Sequence, residues 1–296
     1  MSQPRLHDDQ LPVTAELVRQ LLAAQVPALA DEPIRRIRST GTVNALFRVG
    51  DGALARLPIM ADWSDPDAEA ATLARVVPHL SVRVPDVRHV GLPGAGYPQR
   101  WLLLEWIDGE TVAPGTGGTE LADDLAGFLR ELWTVPTAGA RAGYRVGLRR
   151  HDAAVRESLA AASDLVDVAA LTRRWDSILE TASWGRPPRW THSDLLAGNV
   201  LLDGAGRLTA VLDWESAGVG DPACDLMAAW SMLDRAGRER MRQVLDLDDD
   251  TWTRGSGWAL LQAAIALPYY RDTNPGLVAH SLHVLGELTR EADAPG

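Results

Sequence analysis

The spacing of apolar positions changes period several times along the chain, and those changes divide it. Residues 14–25, TAELVRQLLAAQ, put Leu17, Val18, Leu21 and Leu22 on one helical face behind Thr14, whose hydroxyl suits an N-cap. From Pro33 the period shortens to that of strands. IRRIRST, NALFRVG and GALARLP follow one another, broken by Gly41 and by the hairpin signal Asp51-Gly52. Asp65-Pro66 then opens a helical pattern running to His79. Two more strand-like runs, Val84 to Val90 and Trp101 to Trp106, flank the loop sequence GLPGAGYP. Together these predict an antiparallel sheet with one main helix.

Beyond the loop-like residues 110–119 the pattern is helical. Glu120 to Leu132, about 150–163 and 171–184 each repeat with helical spacing, until Pro187-Pro188 stops the run. Strand 199–202, a tight turn over Asp203 to Gly206 and strand 208–212 interrupt it. Helical patterns from Thr251 to Arg271 and from Asn274 to Glu291 close the chain. The order predicts an α+β fold in two lobes, residues 1–106 with the small antiparallel sheet and 107–296 mostly helical.

The strand pair in the helical half sits inside a stretch of polar residues at fixed offsets. In WTHSDLLAGNVLLD, His192, Asp194 and Asn199 fall at H-x-D-x-x-x-x-N spacing, and Asp213 follows as the first residue of D-W-E. A turn leading into strand 199–202 can aim one carboxylate at an acceptor hydroxyl and one amide oxygen at a metal, and the returning strand brings Asp213 beside Asn199. Few protein oxygens with phosphate and water completing the shell is what Mg²⁺ prefers. His and Asn are scarce in this chain, so the set is unlike ordinary loop chemistry. Asp194 is the expected catalytic base, with Asn199 and Asp213 the expected metal ligands.

THSDLLAGNVLLD followed by VLDWESAGVGDPACDL resembles the motif and metal-binding segment of the aminoglycoside phosphotransferase and choline kinase superfamily, whose fold is similar to that of protein kinases. The resemblance implies a cleft between lobes holding ATP or GTP with Mg²⁺. In it, Ser39, Thr40 and Thr42 would stand in a loop over the triphosphate. Arg56 would take the place of the usual phosphate-binding lysine, with Glu69 as its partner and Asp67 as a competitor. Backbone groups of Glu105 and Ile107 would meet the purine. His192, Asp221 and Asp225 would support the catalytic loop. Breaks between large-lobe helices form acceptor pockets in such enzymes, which makes Tyr269, Tyr270 and Asp272 the expected acceptor contacts. Ser193 stands where the family usually has Gly, and Leu195-Leu196-Ala197 replaces a more polar sequence.

Composition adjusts this picture in three ways. The chain has 296 residues, 46% hydrophobic and 23% charged, enough for two lobes with a substantial core. It contains no lysine, so every one of the 29 basic Lys+Arg positions is arginine and any phosphate-binding cation must be one. Arginine retains the charge and adds a planar fork. A net charge of −11 argues against nucleic acid and suits a cationic small molecule. The one cysteine, Cys224, excludes an internal disulfide, and with no secretory or membrane-spanning pattern a cytoplasmic location is expected.

The resulting expectation is a small-molecule O-kinase, with an aminoglycoside-type antibiotic as acceptor. A macrolide, or a metabolite such as choline, homoserine or methylthioribose, is the alternative acceptor. A nucleotide-binding pseudokinase is the alternative of another class, supported by Arg56 and opposed by the joint presence of Asp194, Asn199 and Asp213.

Overall fold

The computed structural model describes residues 10–37, 43–60 and 64–292. Helix α1 (Ala15–Gln25) starts where Thr14 accepts a bond from the Leu17 amide at 3.1 Å, and buries Val18, Leu21 and Leu22. Strands β1 (Ile34–Arg36), β2 (Asn44–Val49) and β3 (Ala53–Pro58) follow as an antiparallel meander. In β2, Ala45, Phe47 and Val49 alternate inward, and in β3 Ala53, Ala55 and Leu57 do the same. All six belong to one cluster with the α1 face. Alternation along β3 therefore turns Arg56 to the opposite face, toward the second lobe.

Helix α2 (Pro66–Val76) carries Asp65 as its cap, bonded to the Ala68 amide at 3.0 Å, with Pro66 in the first turn. Its buried face presents Glu69, Thr72, Leu73 and Val76. Strand β4 (Val87–Gly91) begins three residues later than the pattern suggested, after Pro85, and pairs with β5 (Trp101–Glu105). The sheet order is β1-β2-β3-β5-β4. A Cβ on Gly91 would lie 2.0 Å from the fully buried Trp101 ring, so only glycine lets the strand cross it.

The second lobe is assembled from β6 (Glu110–Thr111), α3 (Thr119–Thr134), α4 (Asp152–Ala161), α5 (Val168–Glu180), β7 (Arg189–Thr191), β8 (Val200–Leu202), β9 (Leu208–Val211), β10 (Gly218–Gly220), α6 (Met227–Met232), α7 (Arg235–Leu245), α8 (Asp249–Tyr269) and α9 (Pro275–Ala292). Side-chain caps at Asp167, Asp234 and Asp248 start α5, α7 and α8. Asn274 bonds the Leu277 amide at 3.2 Å at the head of α9. Thus the break expected before Pro275 is where α9 begins, with Pro268 in the last turn of α8. Helices α6 and α7 were not foreseen. Every residue of α6 is buried, so it has no polar face and no amphipathic period to read.

One large core joins these helices and includes Trp175, Trp190, Trp214, Trp230 and Trp258. It also takes Leu73, Val76 and Val84 from beneath the small sheet. Apolar packing is thereby continuous under the cleft.

Candidate active site

The segment that carries His192, Asp194 and Asn199 hangs between two short sheets. Strand β7 pairs antiparallel with β10, Thr191 opposite Gly218, and β8 lies between β6 and β9, antiparallel to both. Leaving β7, the chain turns through Ser193 at φ 64°. A non-glycine residue held there costs on the order of 1 kcal/mol or more. Two bonds hold it: the fully buried Asp225 carboxylate accepts from the His192 amide at 2.9 Å and from the Ser193 amide at 2.7 Å. Thr191 and Ser193 hydroxyls add a 2.8 Å contact.

His192 has no exposure and meets the edge of Trp214, ring centroids 4.8 Å apart. Its Nδ1 accepts from the Asp194 amide at 3.3 Å, so Nε2 carries the proton and donates to the Leu212 carbonyl at 2.9 Å. Burial pushes its pKa down, which agrees with a neutral ring serving both bonds. This one side chain joins the catalytic loop to the end of β9.

Backbone pairing completes the approach, because the Leu212 amide donates to the Asn199 carbonyl at 2.8 Å and sets Asp213 next to Asn199. Asp213 itself adopts φ 62°, a second non-glycine residue in the left-handed region. The Asn199 amide nitrogen donates to the Asp194 carbonyl at 2.8 Å and to its Oδ2 at 3.1 Å. Both donors being spent on Asp194, the amide oxygen is the group left for a cation.

The other Asp194 oxygen, Oδ1, accepts from Arg145 Nη2 at 3.2 Å. Burial raises the Asp194 pKa, and Arg145 opposes that rise. With 29% of its side chain exposed, Asp194 still presents a face to an incoming group. Arg145 also bonds the Ser193 carbonyl and Gln262 of α8, the latter at 2.7 Å, and lies over the Trp258 ring at 5.6 Å.

Across the cleft, Arg56 is 5% exposed and forms an ion pair with Glu69 through Nη2. Its Nη1 reaches Asp213 Oδ1 at 3.0 Å, and Glu215 stands 3.5 Å from Nη2. Burial opposes the charge on Arg56, yet Glu69, Asp213 and Glu215 together raise its pKa. The competitor Asp67 is occupied with Arg100 on the surface. Asn44, at the start of β2, donates to Glu215 at 3.1 Å and ties the two lobes directly.

These groups fit Mg²⁺ by their chemistry. Asp213 carboxylate and Asn199 amide oxygens are hard ligands, and the buried oxygens Asn44 Oδ1 and Glu215 Oε1 beside them have no donor among the described residues. Among the described residues no three or more carboxylate, histidine or cysteine side chains gather into a closed cage, so a cation here would draw part of its shell from phosphate and water.

The linker residues differ from one another. The Glu105 amide is already given to the Asp86 carbonyl at 2.8 Å, which leaves only its carbonyl for a purine edge, and its side chain pairs with Arg83. Ile107 is 7% exposed and packs with Leu201, Ala210 and Leu212, an apolar patch of the kind that a base can cover. Ser39, Thr40 and Thr42 lie outside the described residues. Asp221 caps the turn Pro222–Leu226 at Ala223 and bonds Arg254 at 2.8 Å; it secures the turn that carries Asp225 rather than the catalytic loop itself. Tyr269 and Tyr270 stack edge-on at 4.7 Å at the end of α8, and exposed Asp272 follows. Tyr269 is two turns beyond Gln262 on the same helical face, roughly 10 Å along the axis.

Sequence reasoning missed Arg145, Gln262, Asn44 and Glu215. Glu215 was visible within D-W-E but carried no assigned role. Arg145 belongs to TAGARAGYRVG, which matches no motif, and its partners are 49 and 117 residues away in sequence.

A five-stranded antiparallel sheet with one helix, set over a helical lobe with these polar groups at the junction, has the architecture of a kinase-fold phosphotransferase. The sequence model of the phosphotransferase enzyme family matches residues 34–258, and the chain belongs to that family. The GDP complex of aminoglycoside 2'-phosphotransferase-IIIa superimposes with TM-score 0.70 over 94% of this chain and 99% of its own, at 19% identity. Macrolide 2'-phosphotransferase type I gives 0.61 over 97% and 100%, at 20% identity. By sequence, uncharacterized protein YcbJ of Bacillus subtilis (strain 168) is 28% identical over 220 residues, 67% of each chain. A thiamine kinase of Escherichia coli (strain UTI89 / UPEC) is 28% identical over 176 residues, 56% of this chain and 55% of that enzyme. The match thus spans about half the length of the thiamine kinase.

Proposed function

We propose that the protein transfers the γ-phosphate of ATP or GTP to a hydroxyl of a small molecule, with an aminoglycoside-type antibiotic as the first acceptor to test. The observation that carries the reading is the continuous bonded set Asn199–Asp194–Arg145 on one side and Arg56–Asp213 on the other, closing on one cleft. Asp194 accepts the acceptor's hydroxyl proton while that oxygen bonds to the γ-phosphorus and the bridge to the β-phosphate breaks, releasing the nucleoside diphosphate. Arg56 steadies the α- and β-phosphates, and its tether to Glu69 keeps it in register. Asn199 and Asp213 would hold Mg²⁺, which supplies neutralisation of phosphate charge. The apolar patch around Ile107 would receive the base.

The aminoglycoside and macrolide phosphotransferases superimposed above support an antibiotic acceptor. A second reading, an acceptor with no ammonium beside the reacting hydroxyl, is favoured by Arg145, which places a guanidinium 3.2 Å from the carboxylate the acceptor must reach. Residues 139–151 carry four arginines and no carboxylate, which points the same way.

The deciding experiment measures nucleotide consumption with Mg²⁺, ATP or GTP, and a panel of aminoglycosides, macrolides, thiamine and neutral polyols, with Asp194→Ala as control. Turnover on one acceptor, lost in the variant, upholds the reading and identifies the acceptor's charge class. Nucleotide binding without turnover on any acceptor would favour a nucleotide-binding module that transfers nothing.

A further inference from the structure

We infer that Arg145 is a positioning residue for phosphoryl transfer, and that residues 139–147 form the strap that holds it against Asp194. The inference rests on the phosphotransferase reading above. No regular element carries the strap, which lies between α3 and α4, yet it is tied down along its length. Val219 donates to the Arg141 carbonyl at 2.8 Å, Gly143 to the Val219 carbonyl at 3.0 Å, and Tyr144 to the Ser216 carbonyl at 3.1 Å. The Arg141 side chain bonds the carbonyls of Ala217 and Glu215.

Two glycines permit this approach. A Cβ on Gly218 would lie 2.5 Å from the Gly143 nitrogen, and one on Gly143 would lie 2.9 Å from Ser193 Oγ. The strap is therefore seated against the segment that follows Asp213 and against the catalytic turn at once. Arg145 emerges from it with 6% of its side chain exposed.

The bonding pattern is what distinguishes positioning from a casual ion pair. Each Asp194 oxygen takes one bond, Oδ2 from Asn199 and Oδ1 from Arg145, which fixes the plane of the carboxylate. Arg145 is itself fixed at Nε by the Ser193 carbonyl, at Nη2 by Gln262, and on its face by Trp258. Two nitrogens of one planar fork thus span adjacent residues of the catalytic turn and a helix of the acceptor lobe, which a lysine ammonium cannot reproduce. Alignment of the proton-accepting oxygen is worth orders of magnitude in rate when lost, with little effect on how nucleotide binds across the cleft.

The test compares wild type with Arg145→Gln, Arg145→Lys and Gln262→Ala, using Mg²⁺-nucleotide and the acceptor found in the panel. Arg145→Gln is expected to lower kcat about 10- to 100-fold while the nucleotide KM stays within about 2-fold, and Arg145→Lys to fall between it and wild type. A second measurement, independent of turnover, is a urea-unfolding cycle. Arg145→Met should lower the midpoint, and Arg145→Met combined with Asp194→Asn should recover at least about half of that loss, because the unpaired buried carboxylate is gone. Unchanged kcat in Arg145→Gln, a nucleotide KM rising as far as kcat falls, or additive midpoints would each overturn the proposal. A wild-type protein that turns over no acceptor overturns the phosphotransferase reading itself, which separates that failure from an active enzyme indifferent to Arg145.

Discussion

Replacing Asp225 with alanine should destabilise the protein more than any surface change and disable it as well. Asp225 is fully buried and holds two backbone amides, His192 at 2.9 Å and Ser193 at 2.7 Å, at the point where Ser193 takes φ 64°. Hydrogen bonds to a charged acceptor contribute about 1.5–3 kcal/mol each, and the alanine variant leaves both amides buried without a partner. Burial raises the Asp225 pKa, so removing the carboxyl also removes a desolvated group, and this offsets part of the loss. The net cost is about 3–5 kcal/mol. At about 2–4 °C per kcal/mol for a chain approaching this size, Tm should drop by about 6–20 °C. Asp225→Asn retains one acceptor but sets an NH₂ against the other amide, and should lose about 2–3 kcal/mol. Adding Ser193→Gly to Asp225→Ala should restore roughly 1 kcal/mol by relieving the left-handed residue. Calorimetry and urea unfolding of the four proteins, with kcat measured on the folded fraction, provide the assay. An Asp225→Ala protein within about 1 kcal/mol of wild type would refute the reasoning, since it would mean that the turn holds its conformation without the carboxylate.

Four further outcomes are expected. Burial depresses the pKa of His192 and His151 and takes His280 down to about 4, so below the ordinary histidine value near 6.5 the unfolded chain binds more protons than the folded one. The contribution of His280 to stability should therefore be full above about pH 6.5 and fall as pH drops toward 4, by up to about 1.4 kcal/mol per pH unit, while Glu69, Asp194 and Asp225, whose pKa values burial raises, act in the opposite sense. The difference in urea midpoint between wild type and His280→Gln, taken at pH 7.5 and 5, isolates the histidine contribution: relative to wild type, the variant should gain stability at the lower pH. Arg56→Met leaves Glu69, 1% exposed, uncompensated beside Asp213 and Glu215, and should cost about 3–5 kcal/mol of stability. Arg56→Lys preserves the charge but loses the fork that spans Glu69 and Asp213, and should weaken nucleotide binding about 10-fold in a fluorescence titration. Gly218→Ala forces its methyl to within 2.5–2.7 Å of strap backbone, and should cost about 1–3 kcal/mol while also reducing kcat, whereas Gly204→Ala, in open space, should change neither.

What the sequence by itself determined was local and periodic. Thr14 and Asp65 announced their helices by cap chemistry, the Asp51-Gly52 turn announced the β2–β3 hairpin, and alternation in β3 already separated Arg56 from Ala55 and Leu57. The offsets among His192, Asp194, Asn199 and Asp213 were legible because a strand, a tight turn and a return strand fix their geometry over a short stretch. Helix α6 escaped because it is buried on every side and lacks a polar face to give it a period. Strands β7 and β10 escaped because each is three residues long, and paired positions such as Thr191 and Gly218 lie 27 positions apart in the chain. The tertiary structure decided which distant polar side chains meet. It set Asn44 against Glu215 across the cleft, brought Arg56 to both Glu69 and Asp213, and laid a strap of no regular structure so that Arg145 reaches Asp194 and Gln262. Capping and alternation act between neighbours along the chain. Pairing of polar side chains over 49 to 171 residues depends on packing of distant elements, which no short stretch of sequence encodes.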